Sequence, residues 1–457
     1  MTETERPAAG VWDADRRRLT LGLVLTITLV AFESLAIATV MPEVADDLGG
    51  LGLYGWVFSG FFLGSLIGIV AAGQAADARG TAPPFITGLL LFSGGLLVGG
   101  LAPSMGVLVA ARVAQGIGAG AIPAIAYASV ARGYPPALRS RVFAIFSTAW
   151  VVPGLIGPAL SSAIAGALGW RAVFLALLPI VAVAAVITVP ALSRTAPEID
   201  GDPAPPPPDL RGIAIVLVIG VAAVLVALSG APIVIAVLLA VVGAPMAAWA
   251  FVRLVPPGTV RLAAGMPAAI LVRGILTFAF FGGDAYVSLT LVDVRDQATW
   301  VAGIALTGTT LSWTAGAWVQ ERFIGRTGPR RLVTIGFALV AVGTSLMFGA
   351  LGPLPVVAAV AVWSVAGFGI GLAYACLSVT VLGLAEPGKE GSASASLQLS
   401  DVLGVSLGTG FGAACISIGE SHGWATRSAL TVTYAVTLVV AIAGLGASRR
   451  LPDAVPS

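Results

Sequence analysis

Five ionisable residues, Glu33, Arg112, Arg273, Asp284 and Asp401, fall inside long apolar stretches of a 457-residue chain in which only 10% of residues are charged. A charge at the centre of a bilayer costs at least ~2.5–3.5 kcal/mol on insertion scales, so such residues pair, face a protein interior or bind something. A carboxyl that alternates between an arginine partner and an apolar surrounding is a proton carrier, because the first favours its ionised form and the second its neutral form. At 1.5 Å per residue, Glu33 lies about 13 Å and Arg112 about 10 Å below the same surface, so the two meet if their helices are neighbours. Arg273 and Asp284 are separated by about three helical turns, roughly 16 Å, which suits one polar stripe lining a cavity rather than a salt bridge. Asp401, beside Gln398 and Ser400, reads as a polar contact near an inner gate, and Trp313, Thr309 and Thr310 as candidate cavity lining.

These residues need a frame, and the composition supplies one. Hydrophobic residues make up 58% of the chain. A soluble chain carries roughly 25% charged residues, so a soluble multidomain enzyme is excluded, as are disordered and coiled-coil chains. Fourteen apolar runs are present, near 19–41, 53–75, 85–102, 105–130, 142–165, 170–191, 212–229, 231–253, 265–292, 298–319, 332–351, 354–384, 393–417 and 426–447. Each approximates the roughly 20 residues that cross a bilayer core, and backbone groups in lipid must be satisfied within the segment, so the runs are helices. The expected fold class is an all-α polytopic membrane protein. The first run is too long for a signal peptide and contains Glu33, so it is a retained span.

The loops hold nineteen lysines and arginines on one side and only Arg171, Arg295 and Arg427 on the other. Positive residues stay inside, which places both termini in the cytoplasm. The chain divides into a tail (1–18), a six-helix half (19–191), a proline-rich acidic linker (192–211), a two-helix insert (212–254), a second six-helix half (264–447) and a tail (448–457). The insert has no ionisable side chain from 212 until Arg253 and is apolar all round, as suits a lipid-exposed peripheral pair. The two halves look like parallel repeats: Glu33 and Asp284 sit in the outer part of each first span, and both second spans run into a basic, glycine-containing turn.

Glycine spacing adds to the pattern. Span four reads RVAQGIGAGAIPA and span five VVPGLIGPALSSA, with small residues that let helices approach closely. With these segments in view, the sequence resembles the major facilitator superfamily, and within it the fourteen-helix drug:proton antiporters, over nearly the whole chain. In span one, FESLAIATVMP has Glu33 at that family's acidic position. GQAADARGTAP resembles its loop motif at Gly73, Asp77 and Gly80, with Ala78, Thr81 and Ala82 where the family has basic residues. Arg112, Gln115 and Gly116 match the span-four motif. Gly154, Gly157 and Pro158 resemble the antiporter motif, with Pro153 at its leading glycine and Ser161–Ser162 at its close. GWRAVFL, at 169–175, looks like that family's start of span six.

The resemblance implies the major facilitator fold, two pseudo-symmetric six-helix halves plus two extra helices. It also implies a proton-coupled exporter in which Asp284 and Glu33 couple protons and Glu33, Arg112, Arg273, Asp284 and Trp313 border the substrate. Gly73, Asp77, Gly80, Gln115, Gly116, Gly157, Pro158 and Asp401 are then gate or conformational residues. An apolar cavity with a few acids suits amphipathic or cationic organic molecules, while the two arginines leave lipids or anionic metabolites open, and proton symport for uptake is the alternative direction. The expected partners are a small-molecule or lipid substrate, protons and membrane lipids, with no nucleic acid, for a monomer in the cell membrane. No cofactor or metal is expected, the proton gradient being the energy source. His422 stands alone, so there is no HExxH pair for an embedded metalloprotease, and no phosphate-binding loop for a primary pump. Scattered acids are unlike the polar rings of a channel.

Overall fold

The structure is a computed structural model that describes residues 10–49, 53–194, 209–228, 232–352 and 354–454. Most of the expected linker, 195–208, and the chain ends, 1–9 and 455–457, lie outside the described residues. In chain order the helices are α1 (Arg17–Leu48), α2 (Tyr54–Arg79), α3 (Ala82–Gly100), α4 (Met105–Gly133), α5 (Pro136–Thr148), α6 (Val151–Leu168) and α7 (Trp170–Ser193). Then come α8 (Arg211–Leu228), α9 (Ile233–Leu254), α10 (Met266–Asp284) and the single turn α11 (Val287–Leu289), which runs into a π-helical turn at Thr290–Val294. The series ends with α12 (Thr299–Thr327), α13 (Pro329–Ala350), α14 (Val356–Gly383), α15 (Glu390–Ser421) and α16 (Thr426–Ala447).

Among the described residues, 13 helical segments are long and apolar enough to cross a membrane, with α5–α6 forming one segment and α10 with its π-turn another. The remaining long helix is α12. It is more polar because Thr309, Thr310, Ser312 and Thr314 crowd its middle and Gln320, Glu321, Arg322 and Arg326 its end. Two apolar runs that read as single spans are broken. Pro153 has no N–H for the Ala149 carbonyl, and the chain turns there before Gly154 N bonds the Trp150 carbonyl at 3.0 Å. The second break follows Asp284.

Both halves pack by one plan. α1 lies against α7, and α10 against α16; α4 is pressed onto α2 and α3, and α14 onto α12 and α13. A Cβ at Gly116 or Gly120 would collide with the α2 backbone at Phe61 or Ser65, and one at Gly118 with α3 at Gly88 and Phe92. Gly367, Gly369 and Gly371 repeat this on α14, against Thr309, Gly336 and Trp313. Side chains this small let backbones touch where lipid gives no hydrophobic drive. Gly80 and Gly328 end α2 and α12 at φ +79 and +77, a region that costs glycine nothing.

The halves meet through α2, α4, α5 and α6 on one side and α12, α14 and α15 on the other. α8 and α9 pack on each other through Gly220 and Gly243, and α8 also lies along both α2 and α15. Their outer faces expose Ile219, Ile233, Val234, Leu238 and Val241. The helix ends that include the start of α1 and the end of α16 define one face, called here the terminal face. There Thr20 Oγ1 donates to the Val11 carbonyl and shares a 2.7 Å hydrogen bond with Tyr134 Oη. Burial pushes the Tyr134 phenol up to about 12, so it stays a neutral hydrogen-bonding hydroxyl at physiological pH.

Candidate functional site

In the first half, Glu33 of α1 and Arg112 of α4 are joined in a buried ion pair. Arg112 Nη1 also donates to Gln115 Oε1 at 2.8 Å, and Gln115 Nε2 donates to Glu33 Oε1 at 2.9 Å. The guanidinium is fixed from two more sides: Nε donates to the Val57 carbonyl, and its carbon stands 4.2 Å from the Phe61 ring centre. Position decides this triad. Arg112 and Gln115 are one turn apart on α4, on the face whose glycines bring α2 and α3 into contact. Glu33 Oε2 is buried and has no hydrogen-bond partner within the protein.

The second half holds a different centre. Arg273 of α10, fully buried, donates from Nε to Asp401 Oδ1 of α15 at 2.8 Å. Its Nη1 donates to the Tyr374 carbonyl at 2.6 Å and Ser378 Oγ at 3.2 Å, and its guanidinium carbon lies 3.0 Å from the Tyr374 ring centre. Tyr374 Oη donates to Asp401 Oδ2 at 2.8 Å. Tyr127 of α4 reaches this centre from the other half and lies beside Arg273, Asp401 and Tyr374. Asp401 is thus the ion-pair partner of Arg273, and Arg273, fully buried in that pair, does not line an open stripe with Asp284.

Asp284, the last residue of α10, is partly accessible and accepts a 2.7 Å hydrogen bond from Trp363 Nε1. Trp363 stacks on Phe280 with ring centres 5.5 Å apart. Phe280 in turn meets Trp313 edge-on, and Trp313 meets Tyr374 at 5.1 Å. A continuous aromatic wall thus runs from Asp284 to Asp401, with Trp313 in its middle. Trp363 and Phe280 are buried within it, and the partly accessible rings are those of Trp313 and Tyr374, the latter with Arg273 already over its face.

Gly73 and Asp77 of the expected gate set lie at the terminal face. Asp77 accepts from Gly391 N at 2.7 Å, Ser392 N at 2.8 Å and Ser392 Oγ at 2.5 Å, so an α2 carboxylate caps the N-terminus of α15 across the two halves. Arg132 completes the contact, donating to Asp77 Oδ1 at 3.0 Å, Glu390 Oε2 at 3.1 Å and the Ala76 carbonyl at 2.9 Å. It supplies from α4 a cation that the loop lacks at Ala78, Thr81 and Ala82. Gly73 packs directly on Gly391 and Ala395. Deeper in, Thr314 Oγ1 donates to the Ser147 carbonyl and Trp318 Nε1 to Thr148 Oγ1. Among the described residues, the hydrogen bonds that join the two halves all lie at mid-depth or towards the terminal face. On the opposite face, Asp47 at the end of α1 accepts from Trp170 Nε1 at 3.1 Å and Arg171 Nη1 at 2.7 Å, which binds the GWRAVFL segment to α1.

Gly157 does not bring α6 into tight contact: an added Cβ would stand 3.7 Å from Leu35, an ordinary contact. Pro158 is exposed within α6, one residue beyond. Four functional candidates escaped the sequence reading: Trp363, Tyr374, Arg132 and Glu390. Trp363 was within reach, because α14 repeats the glycine spacing of α4. Arg132 counted only as loop charge.

The sequence pattern of the Major Facilitator Superfamily matches residues 23–409. A Mycobacterium tuberculosis protein named as a probable multidrug-efflux transporter is 26% identical over 99% of this chain and 100% of its own length. Multidrug resistance protein 3 of Bacillus subtilis is 30% identical over a shorter match, 36% of this chain and 33% of that protein. In backbone shape, the human organic anion transporter MFSD10 superposes with a TM-score of 0.71 at 17% identity, covering 94% of this chain and 99% of that one. The pattern spans most of a chain whose two helical halves pack by one plan, and the chain belongs to the Major Facilitator Superfamily of multi-pass membrane transporters.

Proposed function

We propose that the protein exports amphipathic or cationic organic molecules across the cell membrane in exchange for protons, by rocking its two halves about a central site. The observation that carries this reading is the placement of one carboxyl group in the first helix of each half, Glu33 and Asp284, with an aromatic wall beside the second. Superfamily members carry small molecules, and relatives named for multidrug resistance or efflux support the substrate class. Asp284 carries the proton and Glu33 orients substrate, because an arginine already holds Glu33 while Asp284 has only a neutral donor. The charge asymmetry of the loops places both termini in the cytoplasm, so the capped terminal face is the inner gate and the site faces outward when that cap is closed. The protein works as a monomer, and the proton gradient is its energy source.

Reconstitution into proteoliposomes tests this. With an imposed pH gradient, a fluorescent lipophilic cation should move against the direction of proton flow, and collapse of the gradient should stop it. Transport of the cation in the same direction as protons overturns export, and transport indifferent to pH overturns coupling.

A further inference from the structure

The two halves superimpose along the sequence with one constant offset. The residue separation that relates Glu33 to Asp284 also relates Arg112 to Trp363, and Gly116, Gly118 and Gly120 to Gly367, Gly369 and Gly371. The three glycine pairs make equivalent contacts on the neighbouring helices, so the offset is structural and not a chance of numbering. Each half therefore builds the same site: an acid on its first helix, held by the side chain at one fixed position of its fourth. In the first half that side chain is Arg112, with Gln115 as a second donor. In the second it is Trp363, and Ala366 stands where Gln115 does.

We propose that this arginine-to-tryptophan exchange is the device that makes one acid fixed and the other exchangeable, and that Trp363 is the positioning residue for Asp284. The inference rests on the reading that Asp284 carries the proton. An arginine compensates a carboxylate charge, so neutralising Glu33 means breaking an ion pair. An indole N–H gives one neutral hydrogen bond and can serve either the ionised or the protonated carboxyl. A proton can then reach and leave Asp284 with its orientation kept and no pair broken.

The site is built for the indole. The Trp363 ring lies across α10 at Gly283, where a Cβ would stand 2.6 Å from the ring. The residue at the same offset in the first half is Phe32, so that slot exists only where the tryptophan is. Phe280 stacks on the indole at an interplanar angle of 22°. Groups facing Asp284 from the packed helices are few. α14 presents Trp363, and α16 presents Tyr434, which shares a 2.8 Å hydrogen bond with Thr290. α15 presents Cys415, beside Tyr286 and Thr433, while its Asp401 is committed to Arg273 about three turns away. α13 carries no ionisable residue beyond Arg331. On α10 itself, Arg273 is the one other charged residue. Among the described residues, Asp284 makes no ion pair.

The test uses the full chain, with a fluorescent lipophilic cation as the probe. Proton release on binding is read with a pH dye in weakly buffered detergent, and export is read in proteoliposomes. Trp363→Arg should copy the first-half site: the cation still binds, but proton release and pH-driven export fall about tenfold or more. Trp363→Phe keeps the stack on Phe280 and removes the N–H, and Gly283→Ala displaces the ring; both should move the pH midpoint of binding in the same direction. Wild-type export in Trp363→Arg overturns the proposal. If that variant does not fold, unchanged pH midpoints in Trp363→Phe and Gly283→Ala overturn it. Should the wild type itself release no proton and ignore the gradient, it is the coupling reading that fails, and the proposal with it.

Discussion

The ion pairs Glu33–Arg112 and Arg273–Asp401 leave opposite groups open. At Glu33–Arg112 the unpartnered atom belongs to the acid, Glu33 Oε2. At Arg273–Asp401 both carboxylate oxygens are taken, by Arg273 and by the Tyr374 hydroxyl, and the unpartnered atom is Arg273 Nη2. A buried acceptor calls for a donor, and a buried donor for an acceptor. The first centre therefore keeps an acceptor open to a proton or a hydrogen-bond donor. The second is closed around its acid and acts as a joint between α10, α14 and α15, touched by Tyr127 from the other half. Equal charge content does not make the two pairs equivalent; the leftover valence separates them.

The comparison is broken most forcefully at the closed pair. Arg273→Met strands the Asp401 charge, and loss of one partner of a buried pair costs about 3–5 kcal/mol. Thermal unfolding in detergent should show a large fall, mostly restored in Arg273→Met/Asp401→Leu, where both charges leave together. A double variant as unstable as the single one would mean that Arg273 is held for something other than Asp401.

At the open pair, a neutral substitution strands the buried Arg112 charge and lowers stability as well, so binding is compared on the folded protein. Glu33→Gln keeps an oxygen for Arg112 and removes the charge. Equilibrium titration should give about tenfold weaker binding of a lipophilic cation, equivalent to roughly 1.4 kcal/mol, and little change for a neutral analogue. An equal loss for both would place substrate elsewhere.

The gate gives a smaller effect. Asp77→Asn retains hydrogen-bond acceptance but removes the negative charge from the α15 N-terminus, worth about 0.3–1 kcal/mol at a helix end. Labelling of single cysteines at the terminal face should become several-fold faster, and unchanged labelling would assign the closure to Arg132–Glu390 alone. The smallest effect is expected at Gly157→Ala, where space exists for the methyl group, with stability within about 0.5 kcal/mol of wild type.

Hydropathy made the helices legible because lipid enforces length and apolarity on each one, and depth alone brought Glu33 to Arg112. Depth says nothing of rotation, however. Spacing puts Arg273 and Asp284 on one face of their own helix, whereas rotation points Arg273 at α14 and α15, whose partner residues lie over a hundred positions away. Trp363 was hidden for another reason: a tryptophan in an apolar run has no charge to mark it, and only the repeat of three glycines identifies its position with that of Arg112. Arg132 was read as a topogenic charge because nothing local distinguishes a loop arginine from one that closes a gate.

One packing feature sets the two sides of the molecule apart. α8 lies along α2 and α15, and a cavity of about 30 Å³ bordered by Gln74, Leu210, Leu254 and Ser396 marks the joint. The seam between the halves has two edges at the level of the bilayer, and this hairpin stands as a shutter over one of them. Along the other edge, α5 and α6 meet α12 with no such cover among the described helices. The protein's two flanks, alike in their helices, therefore present different surfaces: a covered seam on one side and a bare helix contact on the other.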